Sequence, residues 1–290
     1  MRYPHRFDFD AIGTRWSIAT AVPVGVATRR AIERTVERYD GTWSRFRPDS
    51  AVRRLAETGG PVDLGPEALE ILPLLLDLAD ATSGAMTPLI GGSLEHLGYD
   101  PAYSLTPGEG YRPAPETTTL VLDGTRASLR EPAVLDVGAA GKGQLVDLVL
   151  ALLRADGHAD AIVDASGDLR VLGRPVRVAL EHPFDPTVAI GTVEVADQAL
   201  AGSAVNRRAW AAVDGRGLHH VLDGRTGRPV ETIAATWALA DTAMLADALA
   251  TALFFLEPDA LARRYPFRFV RMWTDGRAHW SSDLPGEVFR

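Results

Sequence analysis

Apolar residues recur at helical spacing in four stretches. Residues 27–39 carry Ile32, Val36 and Tyr39 on one stripe, closed by Gly41. Residues 66–81 open with an early proline, where helix starts favour it, and place Leu69, Leu72, Leu76 and Leu78 ahead of Gly84. Residues 143–155 carry Leu145, Val149, Leu152 and Leu153 and stop at Gly157. The fourth predicted helix, 242–255, is rich in small residues (Ala243, Ala246, Ala248, Ala250), so its backbone can approach a neighbour closely. Strand-like runs lie between and after these segments. Residues 7–19 alternate in part, and 118–122 with 127–129 predict a hairpin across Asp123-Gly124. Further strands are predicted at 161–163, 169–172, 176–180, 188–195, 209–213, 219–222, 234–239 and 267–273. Residues 101–115 hold several Pro and Gly with little periodicity and read as an exposed connection. Clustered strands with irregularly interspersed helices predict an α+β fold rather than a doubly wound parallel sheet.

A chain of 290 residues exceeds the usual size of one core, so one large mixed domain or two packed lobes is expected. The formal net charge of -8 argues against nucleic-acid binding, because an acidic surface repels a phosphate backbone. A nucleotide ligand remains compatible if positive charge is supplied locally. With no cysteine, disulfides, thiolate metal sites and cysteine nucleophiles are impossible. The longest apolar stretch, 71–79, is broken by Asp77 and falls far short of the ~20 residues a bilayer span needs. Residues 1–6 show no apolar core of a secretory signal, so a cytoplasmic protein is expected from the chain as given, although a trimmed precursor would look the same. The 30 basic residues include a single lysine, Lys142. Arg and Lys differ in shape and donor geometry, so a crowded site can demand a compact ammonium where a surface would take either.

Lys142 lies in Asp136-Val137-Gly138-Ala139-Ala140-Gly141-Lys142-Gly143, where an apolar strand end at 133–135 enters a glycine-rich bend ahead of a helix. Such a bend lets backbone approach a ligand and offers helix-start N–H groups to an anion; an ordinary strand-to-helix turn has the same composition. In Ala246-Asp247-Ala248-Leu249-Ala250-Thr251-Ala252, Asp247 and Thr251 are four apart and share a helix face. Two hard oxygen donors there suit Mg²⁺, while Thr251 bonding its own helix and Asp247 pairing with an Arg is the structural alternative. His219-His220-Val221-Leu222-Asp223-Gly224-Arg225-Thr226-Gly227 ends a strand in a polar turn; His220 or Asp223 could position a phosphate or take a proton, or serve the turn alone. Val163 through Arg170 reads as a hairpin of small residues. Neither a GxSxG elbow nor an HExxH helix occurs.

The order of these segments resembles the FAD:protein FMN transferase (ApbE) family along nearly the whole chain. Ile12-Gly13-Thr14 is similar to the family's early M-G-T, and Ser44 through Ser50 to its S-x-F-x-x-x-S. Asp136 through Asp147 resembles D-L-G-G-x-A-K-G-x-x-x-D, and Asp164 through Leu169 resembles N-x-G-G-D-I. His220 through Gly227 is similar to H-I-x-D-P-x-T-G, Gly202-Ser203-Ala204 to T-S-G, and A-D-A-L-A-T-A stands unchanged at 246–252.

The resemblance implies a T-fold-related α+β architecture of mixed sheets and packed helices, two intertwined lobes in one domain spanning 1–290. It implies an enzyme that takes FAD and Mg²⁺, moves FMN onto a Ser or Thr hydroxyl of an acceptor protein, and releases AMP. It further implies Ala139, Asp247 and Thr251 as metal ligands. Ile12, Phe46, Ala85, Met86, Thr87, Asp136, Lys142 and Ser203 would bind the cofactor, with Asp247, His220 and Asp223 in the chemistry. The chain departs from the family's pattern at Ile12, at Ala56 for an Asn, at Met86-Thr87-Pro88-Leu89 for F-D-P-T, at Gly202 and at Gly224 for a Pro. These changes fall mainly on flavin-contacting loops, so altered flavin affinity or a changed acceptor is expected rather than a lost fold. FAD hydrolysis to FMN and AMP, or flavin binding without turnover, are the alternatives.

Overall fold

A computed structural model describes residues 3–206, 209–211 and 217–289. The chain opens with a hairpin, β1 (His5–Ala11) and β2 (Thr14–Thr20), then helices α1 (Val26–Trp43) and α2 (Ala51–Thr58). Strand β3 (Val62–Asp63), helices α3 (Ala68–Ala81) and α4 (Gly91–His96), and hairpin β4 (Leu120–Asp123) and β5 (Arg126–Leu129) follow. Helix α5 (Gly141–Ala155) leads to β6 (Ala161–Asp164), β7 (Asp168–Leu172), β8 (Val176–His182), β9 (Asp185–Val195) and β10 (Ala199–Ala204). Short strands β11 (Ala209–Ala211), β12 (Gly217–His219), β13 (Leu222–Asp223) and β14 (Arg228–Pro229) precede β15 (Ile233–Ala240). Helices α6 (Ala243–Ala252) and α7 (Pro258–Ala262) and strands β16 (Arg268–Trp273), β17 (Ala278–Trp280) and β18 (Gly286–Val288) complete the chain.

Eight strands form the central sheet in the order β1-β2-β6-β7-β10-β15-β16-β17, every neighbouring pair antiparallel. Antiparallel pairing throughout is the α+β arrangement rather than the doubly wound one. Helices α5 and α6 cover one face, and a three-stranded sheet (β18-β9-β8) covers the other. Strand β15 is therefore buried at every residue, and its two faces differ in size. Ala235, Trp237 and Leu239 fill the core under the small sheet, whereas Ala238 and Ala240 face the helices. The small residues on that helix side let α6 come close enough for the Thr236 hydroxyl to donate to the Ala250 carbonyl at 2.5 Å. A buried polar chain ties the helical layer together: Tyr39 donates to the Gln144 Oε1 at 3.0 Å, and the Gln144 amide donates to the Glu67 carbonyl at 3.1 Å.

The structure corrects several expected boundaries. The single run at 7–19 is two strands, because Ile12 and Gly13 both take positive φ (44° and 74°) and close a two-residue hairpin. The expected strand at 219–222 breaks at His220-Val221 into β12 and β13, and α5 starts at Gly141 rather than Gly143. Residues 133–135 are extended without a ladder; the Asp136 N–H bonds to Pro88 and the Gly91 N–H to Val134. Of the strand expected at 209–213, 209–211 is formed and the rest lies outside the described residues. Residues 101–115 form neither helix nor strand and are mostly exposed, yet they pack on the body of the protein. Among the described residues, no helix is long and apolar enough to cross a membrane.

Candidate active site

The start of α6 is fixed by the helix beside it. Gly143 packs so closely that a Cβ placed on it would lie 2.1 Å from the Ala243 carbonyl oxygen. One turn on, the Asp147 carboxylate accepts the Ala243 and Met244 N–H groups, both at 2.9 Å, satisfying two of the donors a helix start leaves open. Arg170 of β7 clamps the same carboxylate at 2.6 Å, and the Thr242 side chain caps the Leu245 N–H. Burial raises the Asp147 pKa, opposed by Arg170 and the two N–H groups. The spacing Gly143-x-x-x-Asp147 thus holds α5 against α6.

This anchoring presents Asp247 and Thr251 to one corner of a cavity. Asp247 is 4 % exposed and accepts the Gly143 N–H at 3.0 Å. Asp168, 1 % exposed at the start of β7, lies beside it, and the Lys142 ammonium is 2.7 Å from Asp168. The Thr251 and Ser203 hydroxyls are 3.4 Å apart. Burial pushes the Asp247 carboxyl well above the usual range, and the Asp168 carboxylate adds to this; Lys142 and the Gly143 N–H oppose it. With both carboxylates ionised, the single ammonium would leave the corner one positive charge short, a deficit that a bound cation would fill. No hydrogen bond among the described residues ends on the Ala139 carbonyl, since the Gly143 N–H turns instead to Asp247. No group of three or more His, Cys, Asp or Glu able to hold a metal occurs among the described residues. The donors are mixed hard oxygens: carboxylate, hydroxyl and carbonyl. A small number of such ligands, with uncompensated negative charge, fits Mg²⁺.

The cavity, of about 1070 Å³, runs from this corner to an aromatic wall. Ile12, Met86, Thr87, Asp136 and Phe46 line it together with Ala139, Lys142, Ser203, His220, Asp247 and Thr251. Ala85 and Asp223 do not. Ala85 is buried and accepts the Gly224 N–H, while the Asp223 carboxylate is taken by Arg225 at 2.6 Å, which lowers its pKa. Asp223 also accepts the Arg225 N–H and serves the turn. The departure at Gly224 has a steric reason: a Cβ there would lie 2.6 Å from both the Gly84 oxygen and the Thr87 methyl. Two departures from the family pattern, at 87 and 224, are thus in contact with each other.

Four residues at the site escaped the sequence reading. Asp168 lies in a stretch that a hairpin alone explains, so its motif gives it no role. Asp147 likewise closed a motif without one. Arg45, with a side chain 2 % exposed, pairs with Asp136 at 2.5 Å, donates to the Tyr99 carbonyl at 2.7 Å and sits 3.6 Å from Glu95. Its guanidinium lies 4.1 Å over the Phe46 ring, and Tyr103 stacks on Phe46 at 5.0 Å with planes 10° apart. Tyr99 meets Phe46 edge-on and stacks on Trp210. Tyr103 comes from the segment read as a mere connection.

A cavity with an aromatic wall at one end and a charged, oxygen-rich corner at the other suits a large ligand, part ring and part polar. The chain belongs to the ApbE family, whose model matches residues 12–266. A protein named FAD:protein FMN transferase in Rhodobacter capsulatus is 34% identical over 210 residues, covering 67% of this chain but only 39% of that protein. One of the same name in Vibrio cholerae is 25% identical over 296 residues, covering 93% and 88%. The crystal structure of the ApbE protein of Thermotoga maritima superposes with a TM-score of 0.82 at 22% identity, covering 96% of each chain. The flavin transferase ApbE of Vibrio cholerae gives 0.77 at 21%, again over 96% of each. These likenesses establish the fold.

Proposed function

We propose that this chain transfers the FMN moiety of FAD to a Ser or Thr hydroxyl of an acceptor protein, with Mg²⁺, releasing AMP. The observation that carries the reading is the charge-deficient corner where Asp247 and Asp168 share Lys142 beside the Thr251 and Ser203 hydroxyls. The names of the relatives support the flavin chemistry. Asp247, Thr251 and the Ala139 carbonyl would hold the metal, which when bound would supply charge neutralisation for the diphosphate. Lys142, oriented by Asp168, donates to the same diphosphate. Ile12, Met86, Thr87 and Asp136 would border the flavin. In the transfer, the acceptor oxygen bonds to the FMN phosphorus as the bridging P–O bond breaks, and AMP departs with that oxygen. The hydroxyl proton passes to His220 on the cavity wall.

Incubation with FAD and Mg²⁺, with and without a flavin-carrying redox protein as acceptor, tests this. Transfer yields AMP and acid-stable flavin on the acceptor; AMP with free FMN identifies hydrolysis, and intact bound FAD a binder without turnover. Asp247→Asn should lower Mg²⁺-dependent AMP release by about 100-fold or more while unfolding remains cooperative. Normal turnover in that variant would remove Asp247 from the site.

A further inference from the structure

Phe46, which the resemblance would place against the flavin, has no free face. A guanidinium 4.1 Å above the ring and a phenol ring 5.0 Å away at 10° are too bulky to share one side, so Arg45 and Tyr103 cover opposite faces. Its edge is met by Tyr99. The aromatic surface this wall offers a ligand is therefore Tyr103, which lines the cavity and is 51 % exposed. Its placement is held against local preference. Tyr103 takes φ +49°, a conformation that a bulky residue rarely adopts and that tends to be kept where a site requires it. The Asp100 carboxylate accepts the Ala102 and Ser104 N–H groups and the Ser104 hydroxyl, and the Leu105 N–H bonds to the Gly98 carbonyl. Gly98 has no room for a side chain, because a Cβ would sit 2.4 Å from the Thr106 nitrogen. The segment is pinned with its ring in the cavity.

We propose that Tyr103 is the stacking platform for the isoalloxazine ring of the dinucleotide, completing a pile of guanidinium, Phe46, Tyr103 and flavin. The electron-rich phenol complements the electron-poor three-ring system better than it does adenine, and covers more area there. This rests on the flavin-transfer reading, and the experiment separates the two. FMN and AMP are titrated separately into wild type, Tyr103→Leu and Tyr103→Phe, following flavin emission for FMN and heat for both. Wild type should bind FMN with quenched emission. Tyr103→Leu should bind FMN roughly fivefold to tenfold more weakly with part of the emission regained, and bind AMP unchanged. Tyr103→Phe should keep the affinity within about twofold yet regain emission, since phenol donates an electron to excited flavin far more readily than phenyl. Unchanged FMN affinity and quenching in Tyr103→Leu overturns the assignment, as does a loss confined to AMP. Failure of wild type to bind FMN or FAD at all overturns both this assignment and the function beneath it.

Discussion

The two ends of the cavity are built in different ways. At the α5–α6 corner, the groups that matter come from those two helices, from β7 and β10 and from the bend ahead of α5, and the helix spacing is set by close contact: Gly143 against Ala243, and Asp147 on the first N–H groups of α6. At the aromatic wall, Arg45, Phe46, Tyr99, Tyr103 and Trp210 come from loops and from the short strand β11. They are held by side-chain interactions around one buried guanidinium. A corner made of backbone fits tolerates little change, whereas a wall made of side chains can vary its rings and keep its place. Of the departures from the family pattern, those at 12, 87 and 202 line the cavity, 224 packs on Thr87 and 56 lies on α2; α6 is left intact.

The sharpest way to break the comparison is Gly143→Ala. The new methyl would meet the Ala243 carbonyl at a separation no real contact allows, so α6 must slide or tilt away from α5. Overpacking of this kind costs about 3 kcal/mol or more when the obstacle is backbone. Urea unfolding should show that loss. AMP release should fall with it even in conditions where the variant is fully folded, because Asp247 loses its bond from the Gly143 N–H. A variant of wild-type stability would show that the helix contact is not the positioning device argued above.

Arg45→Met should have the next largest effect, and a different kind. The substitution keeps a long apolar stem under Phe46 but leaves the Asp136 and Glu95 carboxylates without their shared cation. Stranding fully buried charges costs roughly 3–5 kcal/mol; these carboxylates are partly reached by water and Glu95 keeps Arg53, so about 2 kcal/mol is expected. Adding Asp136→Asn should restore part of it, which a double-mutant cycle measures directly. Kinetically the variant should raise the KM for FAD and leave kcat within a few-fold, since the corner is untouched. A collapse of kcat at unchanged KM would show the two ends to be coupled.

The sequence disclosed these regions unequally for the same reason. Periodicity and capping are local, so α1, α3, α5 and α6 were legible, as was the Asp247–Thr251 face, which needs only a four-residue spacing on one helix. Ile12-Gly13 hides its turn, because isoleucine at positive φ runs against its preference and the alternation continues across it as one strand. Strand β10 was missed because Ala199–Ala204 is nearly all small residues, and its identity as a strand comes from packing under α6 rather than from alternation. Arg45 and Tyr103 were invisible because each is defined by partners more than fifty residues away in the sequence. Asp223 illustrates the converse: its motif suggested chemistry, while Arg225 two residues on had already claimed the carboxylate.

The smallest effect concerns the histidine pair 219-220, adjacent residues with different surroundings. His220 lines the cavity. His219 instead bonds through Nε2 to the Val230 carbonyl at 2.8 Å and accepts the Val221 N–H on Nδ1 at 3.3 Å, a combination that only the neutral ring with its proton on Nε2 can make. Burial lowers its pKa, more than the Val230 carbonyl and Glu231 raise it. Because the folded pKa lies below the unfolded value of 6.5, the unfolded chain takes up the proton first as pH falls. The His219 contribution to stability is therefore whole above pH 6.5 and is lost as pH descends through the folded value. His219→Gln, whose amide can donate and accept in the same directions, should flatten the fall of the urea midpoint between pH 7 and 5 relative to wild type (about pH 6.5 marks its onset). It should leave the pH profile of AMP release in place, because the His219 ring bonds to Val230 and does not line the cavity. An activity profile that moved with His219 while the stability profile did not would assign the proton-handling role to the wrong member of the pair.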